Sequence, residues 1–264
     1  MIKKDSTYLA GSYHDWRDRV IASLPGHSFS DPKNHRQSAI AKLVEDDMAE
    51  AMLCWRMLVG FPKGKSLGTM TYAEIGASRV AGNYIIGVDE NEVKEPTLKA
   101  VADVHFSSFE EAIEHLRNLK NIPETNKIKE DQRKPLGDVH NVLILGSVPE
   151  QVMSSKEKAY ISDFQVADIN NLGKSIDLVV VNFERGIRPK EHILCMGAAY
   201  SADIPIVLCE ASPIIYPPLA GLARRIFSGP ERMDILKDYL EGIKSNDINL
   251  EAKIMYELFK KYKS

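Results

Sequence analysis

The sequence predicts an α/β protein: two doubly wound, parallel-sheet domains in tandem, followed by a helical C-terminal tail. Three observations predict it. Short apolar runs of strand length alternate with segments of helical periodicity, the pattern of a parallel sheet with helices on both faces. A polar stretch, "NLKNIPETNKIKEDQRKPLGD", carries many charges and is interrupted by Pro123 and Pro135, a linker composition. Beyond it the pattern of the first half restarts.

The first half opens with "TYLAGS" (7–12), a strand ending at Gly11. "DWRDRVIASL" (15–24) follows as a helix with Trp16, Val20 and Leu24 at helical spacing. "HSFSDP" is a short extended segment stopped by Pro32. Next come a helix at 38–52, a strand at 56–61 ("RMLVGF"), a helix at 71–81 ("TYAEIGASRVA") and a strand at 84–88 ("YIIGV"). After the linker, "NVLILGS" (141–147) repeats the strand-then-Gly-Ser arrangement, and "DINNLGKSIDLVVVNF" (168–183) repeats helix then strand. "HILCMGAAYSADIPIVLCE" runs parallel to "TYAEIGASRVAGNYIIGVDE", with Gly197-Ala198 matching Gly76-Ala77 and Cys195 falling where Glu74 stands. This reads as an internal duplication, with domains at 1–120 and 139–264 joined by a linker at 121–138. After residue 229 the chain is mostly helical. Stripes such as Ile235, Leu236, Tyr239, Leu240 and Ile243 are read as core or subunit contacts.

Composition narrows the function classes. At 44% hydrophobic and 27% charged with a net charge of −3, the chain has no basic excess to argue for nucleic-acid binding, so a small ligand is expected. No apolar run approaches the roughly 20 residues of a membrane span, and the N-terminus lacks an apolar leader core; a cytoplasmic protein with no membrane partner is expected. Cys54, Cys195 and Cys209 stand in apolar runs without C-x-x-C spacing and read as buried free thiols. No metal-ligand spacing appears. Neither G-x-G-x-x-G nor G-x-x-x-x-G-K-[ST] is present, which disfavours nucleotide cofactors bound in those ways.

Ligands of open α/β sheets bind outside the carboxyl ends of the strands. The turn after the first strand (Gly11, Ser12), the loop from Pro62 to Gly68 and the start of the next helix, carrying Glu74, map there. Glu74 is expected in about the first helical turn, where the macrodipole favours an ionised carboxylate by roughly 0.3 to 1 kcal/mol. Asp46 and Asp47 lie toward the end of the preceding helix. Trp16 is either a core aromatic or a platform for a ligand ring.

"YLAGSYHDWRDRV", "SDP", an Asp before the third strand, "PKGKSLG" and "YAEIGAS", in this order, resemble the nucleoside 2-deoxyribosyltransferase family. The resemblance covers residues 7 to about 90 well and 141 to about 210 more loosely. It implies a flavodoxin-like sheet in each half and cleavage or transfer at the N-glycosidic bond of a (deoxy)nucleoside, without a cofactor. It further implies that Glu74 attacks the anomeric carbon, that Asp47, or less well Asp46, exchanges a proton with the base, and that Tyr8 positions the nucleophile. Gly11, Ser12, Trp16, Asp46, Ser66 and Gly68 then form the substrate-binding set. Breaking a glycosidic bond builds positive charge on the sugar, which suits a carboxylate nucleophile and a second carboxyl as acid.

A related subgroup, the deoxynucleoside 5′-monophosphate N-glycosidases, has Ser at the positions of Ser12 and Ser66 but Arg where this chain has His14. The family has Asp where the third strand starts with Trp55 here, whereas the second copy keeps Asp177 there; this departure and the degenerate second copy favour the alternative of a non-catalytic nucleotide-binding sensor. That copy also keeps Gly146, Ser147 and Asp168 but lacks the Glu, and is expected to be catalytically silent. The partners implied are a nucleoside or nucleotide and a free nucleobase. Family members close the active site with a neighbouring subunit, so a fused second copy implies an intrachain pseudo-dimer and leaves room for a homo-oligomer. The Pro-rich "ASPIIYPPLAG" (211–221) is the expected point of contact.

Overall fold

The computed structural model describes residues 5–12, 15–35, 40–119, 139–154, 158–184, 187–212 and 215–242. In the first half the elements are β1 (Thr7–Gly11), α1 (Trp16–Ser23), β2 (Phe29–Ser30), α2 (Ile40–Leu53), β3 (Arg56–Phe61), α3 (Thr69–Val80), β4 (Tyr84–Asp89), α4 (Pro96–Val101), β5 (Val104–Phe106) and α5 (Phe109–Asn118). Their strands pair in parallel in the order β2-β1-β3-β4-β5. The second half holds β6 (Asn141–Leu145), β7 (Ala159–Ile161), α6 (Leu172–Ser175), β8 (Leu178–Phe183), α7 (Lys190–Ser201), β9 (Ile206–Glu210), α8 (Pro217–Ala220), β10 (Arg225–Ser228) and α9 (Arg232–Gly242). Its sheet, also parallel, runs β10-β9-β8-β6-β7. Read from the other edge this is the same order as in the first half, the 2-1-3-4-5 winding of flavodoxin-like sheets.

Alternation along each strand decides what faces what. Tyr8 and Ala10 of β1, with Met57, Val59 and Phe61 of β3, pack toward α2 and α3. Leu9 and Leu58 point the other way, into a second core with Trp16 and Val20 of α1 and Phe109 and Ile113 of α5. Both faces are covered, so these strands read as unbroken apolar runs, which is why their positions were visible in the sequence. The outer face of the second sheet is covered by Leu236 and Leu240 of α9.

The inner layers of the two halves share one core, in which residues of α3 pack with residues of α7. Two glycines permit the approach. A Cβ on Gly76 would lie 1.9 Å from the Leu194 carbonyl oxygen, and one on Gly197 would lie 1.9 Å from that of Ala73. The contact is reciprocal, each glycine meeting the residue three before the other, as a two-fold axis would arrange it. A second repeated feature ends the first strand of each half. Gly11 (φ +126°) sits 2.3 Å, by its would-be Cβ, from the Gly60 carbonyl oxygen, and Gly146 (φ +92°) sits equally close to that of Asn182. Only glycine fits at either turn.

Several elements differ from expectation. The helix awaited before β8 is a 3-10 run at Val166–Asn171 followed by the single turn of α6. Residues 211–221, expected as a Pro-rich loop, hold α8, and the edge strand β10 follows where the sequence shows no strand signal. Segments α4, β5 and α5 were not assigned from sequence, although Ser108 caps α5 by accepting from the Glu111 amide while the Glu111 carboxylate accepts from the Ser107 amide. In the tail, α9 is present, while Ile243 and the rest of the expected helical tail lie outside the described residues, as do the linker, His14, and Pro213 and Ile214 of the Pro-rich segment. Among the described residues no helix is long and apolar enough to cross a membrane.

Candidate active site

Glu74 is carried by α3. That helix begins at Thr69 with Gly68 as its N-cap, so Glu74 is its sixth residue and lies beyond the first turn, which holds no acidic residue. The expectation of an ionised carboxylate stabilised by the helix start is therefore corrected. The macrodipole acts within the first turn, and Glu74 sits instead on a buried face, 6% exposed.

Tyr8 comes to the same place from β1, because its strand position points it toward α2 and α3. It is fully buried. Its hydroxyl faces Glu74 closely enough to interact with the carboxylate, yet makes no hydrogen bond within ordinary distance and angle limits. Burial, then the charges of Glu74 and Asp47, raise the phenol well above its usual range, so it stays a neutral donor.

Asp47 is the third member. It lies in α2 and is 9% exposed. The two carboxyls repel: burial first and then the charge of Asp47 push Glu74 up from 4.5 to about 7, against the opposing pull of Arg17, Tyr8 and His35. Asp47 is raised from 3.8 to about 6, chiefly by burial, with His35 acting against the rise. Two buried carboxyls in mutual repulsion hold on to a proton near neutral pH, so the pair offers one acid and one carboxylate together.

Two residues of this site escaped the sequence reading. His35 Nδ1 lies 2.5 Å from Asp47 Oδ1 and its Nε2 lies 3.0 Å from Glu50 Oε2, and the Ser30 hydroxyl donates to that same Glu50 oxygen. Burial alone would lower the imidazole, but the hydrogen bond to Asp47 and the charges of Glu50 and Asp47 outweigh it and raise it. Arg17, buried on α1, pairs with Asp31 at 2.5 Å and donates from Nη2 to the Gly11 carbonyl at 2.7 Å. It ties down the turn after β1 and brings a positive charge to bear on Glu74 and Tyr8.

The remaining candidates make contacts of their own. Trp16 is 4% exposed; its ring lies against Gly60, stacks on Phe109 at 5.0 Å, and its Nε1 donates to the Ser12 carbonyl at 3.0 Å. It belongs to the core on the opposite side of the sheet from Tyr8. Asp46 pairs with Lys42 at 2.6 Å along α2, while Asp47 is the more buried of the two acids. Gly11 and Ser12 form the turn at the end of β1, and the Ser12 hydroxyl oxygen is buried without a hydrogen-bond partner. Ser66 and Gly68 are exposed in the loop between β3 and α3.

In the second half the matching positions have structural roles. Cys195 is fully buried, and burial raises its thiol. Asp177 accepts from the amides of His140 and Asn141 at the start of β6, and Asp168 caps the 3-10 run by accepting from the Gln165 amide. Among the described residues no group of three or more His, Cys, Asp or Glu is placed to hold a metal ion.

No family model matches the chain, and no curated protein matches it. Among solved structures it is similar to the Clostridium botulinum CMP N-glycosidase BcmB, with a TM-score of 0.31 and 18% identity over 42% of this chain and 98% of that one. It is also similar to the E. coli RcsC C-terminus with its linker and phosphoreceiver domain, with a TM-score of 0.31 and 14% identity over 98% of this chain and 95% of that one. At these scores neither likeness bears on what the chain does.

Proposed function

We propose that the first half cleaves or transfers at the N-glycosidic bond of (deoxy)nucleosides, with Glu74 as nucleophile and Asp47 as proton donor. The observation that carries this reading is the meeting of two buried, mutually repelling carboxyls with the Tyr8 hydroxyl turned to Glu74. A Glu74 oxygen attacks the anomeric carbon as the bond to the base breaks, the electron pair leaves on the base nitrogen, and Asp47 gives that nitrogen a proton. Positive charge building on the sugar favours the ionised form of Glu74, so the proton of the pair moves to Asp47 when substrate arrives. Attack by a second base on the glycosyl-Glu74 ester then completes transfer, and attack by water completes hydrolysis. The reciprocal packing of α3 on α7 supports a second half that acts as an intrachain pseudo-dimer partner rather than as a second catalyst.

A second reading, a 5′-monophosphate substrate, is favoured by one observation. The Ser12 hydroxyl is a buried, unpartnered polar group at the carboxyl end of β1, where a phosphate oxygen would satisfy it. Chromatography of the protein incubated with 2′-deoxynucleosides and their 5′-monophosphates, with and without an acceptor base, tests both. New nucleosides that need the acceptor support transfer, and free base from monophosphates alone supports the second reading. Absence of turnover, or wild-type turnover by Glu74→Ala, overturns the assignment.

A further inference from the structure

His35 stands between two carboxylates. Its Nδ1 faces Asp47 at 2.5 Å and its Nε2 faces Glu50 at 3.0 Å. With both carboxyls ionised, an imidazolium satisfies the two acceptors at once, whereas a neutral ring would aim a lone pair at one of them. The side chain is mostly enclosed, at 12% exposure, and Glu50 is fixed in turn by the Ser30 hydroxyl, so the row Ser30–Glu50–His35–Asp47 is continuous. A structural ion pair needs one carboxylate; here the second reaches the acid that the chemistry uses.

We propose that His35 is the positioning residue of the leaving-base step, holding Asp47 in place and passing a proton to it as Asp47 gives its own to the departing base. The proposal rests on the glycosidic reading of Glu74 and Asp47. In the forward half-reaction the C–N bond breaks, its electron pair goes to the base nitrogen, and the Asp47 proton follows; the Nδ1 proton of His35 then moves across the 2.5 Å contact to Asp47. His35 is left neutral, held by Glu50. When the acceptor base or water attacks the ester, the proton it sheds goes to Asp47 and returns to His35, so the site ends as it began. The charges that face this ring are Asp47 and Glu50 from α2 and Glu74 from α3, with Arg17 of α1 acting on Glu74. Of these, Asp47 and Glu50 contact the imidazole and set its charge.

The test compares two substrates in the full chain and in His35→Gln, whose amide can bridge both carboxyls but cannot carry a proton. With a 2′-deoxynucleoside the leaving base needs a proton. With 4-nitrophenyl 2-deoxyriboside the leaving nitrophenolate does not. Loss of about 10²-fold or more on base release, against a far smaller loss on nitrophenolate release, supports the proposal. Glu50→Gln, which removes the anchor on the far side of the ring, should show the same split in weaker form. Equal losses on both substrates, or none, overturn the role of His35 and leave Glu74 standing. Failure of the wild-type protein to turn over either substrate overturns the glycosidic reading and the proposal with it.

Discussion

Replacing Glu74 by Gln should make the protein more stable above neutral pH while ending its activity. The carboxyl is raised from 4.5 to about 7, first by burial and then by the charge of Asp47. That difference corresponds to about 3 kcal/mol. The sign follows from linkage: the folded state binds the Glu74 proton more tightly than the unfolded chain does. Its contribution is fully present below pH 4.5 and is lost as the pH rises through about 7. Glutamine has nearly the same shape and cannot ionise, so the variant lacks this loss. Urea unfolding at about pH 5 and about pH 8, followed by circular dichroism, should show Glu74→Gln close to wild type at the lower pH and more stable by up to about 3 kcal/mol at the higher. A difference that is the same at both values, or a variant less stable at the higher one, would refute the claim that burial and Asp47 hold this carboxyl up.

Other expectations follow from the same geometry. Tyr8→Phe should cost little stability, because the hydroxyl makes no ordinary hydrogen bond, yet should lower turnover, which parallel thermal melts and rate measurements would show. Activity requires one proton on the Glu74–Asp47 pair, so the rate should be greatest between about pH 6 and about pH 7 and fall on either side. A flat profile across that window would count against the pair. Gly197→Ala places a Cβ 1.9 Å from the Ala73 carbonyl oxygen, a backbone atom that cannot step aside. It should destabilise the chain by about 1–3 kcal/mol or more, seen as an earlier thermal transition, whereas Ala at the exposed Gly26, with nothing within 4 Å but φ +88°, tests backbone strain alone.

What was legible in the sequence was what depends on burial of near neighbours. Strands β3 and β4 showed as apolar runs because both faces are covered, and α3 could be placed from the spacing of Ile75, Ala77 and Val80. The sequence places the start of α3 two residues late because a Gly N-cap gives no side-chain signal, and the true start leaves Glu74 beyond the first turn. Strands β5, β7 and β10 were missed; the first two are three-residue edge strands with too little periodicity to show, and β10 follows a Pro-rich segment that reads as loop. The "S-F-E-E" stretch at the start of α5 is the one local signal of that helix, a Ser N-cap with Glu three residues on. His35 was not recoverable by spacing, since it follows a 3-10 turn and meets Asp47 across 12 positions, and Arg17 looked like one more charge on an amphipathic helix until Asp31 folded onto it. The duplicated glycines at 76 and 197 were matched as a repeat, but only the fold shows that each receives the other's helix.

The central claim is that Glu74 becomes covalently bonded to the sugar, and mass spectrometry tests it most directly. The protein would be incubated with 2′-deoxy-2′-fluoro-arabinosyl nucleosides, whose fluorine slows release of the intermediate, then digested and analysed by peptide. The account predicts a fluoropentosyl adduct on the peptide that contains Glu74, absent in Glu74→Gln. Turnover with no adduct there, or an adduct on another residue, would contradict it.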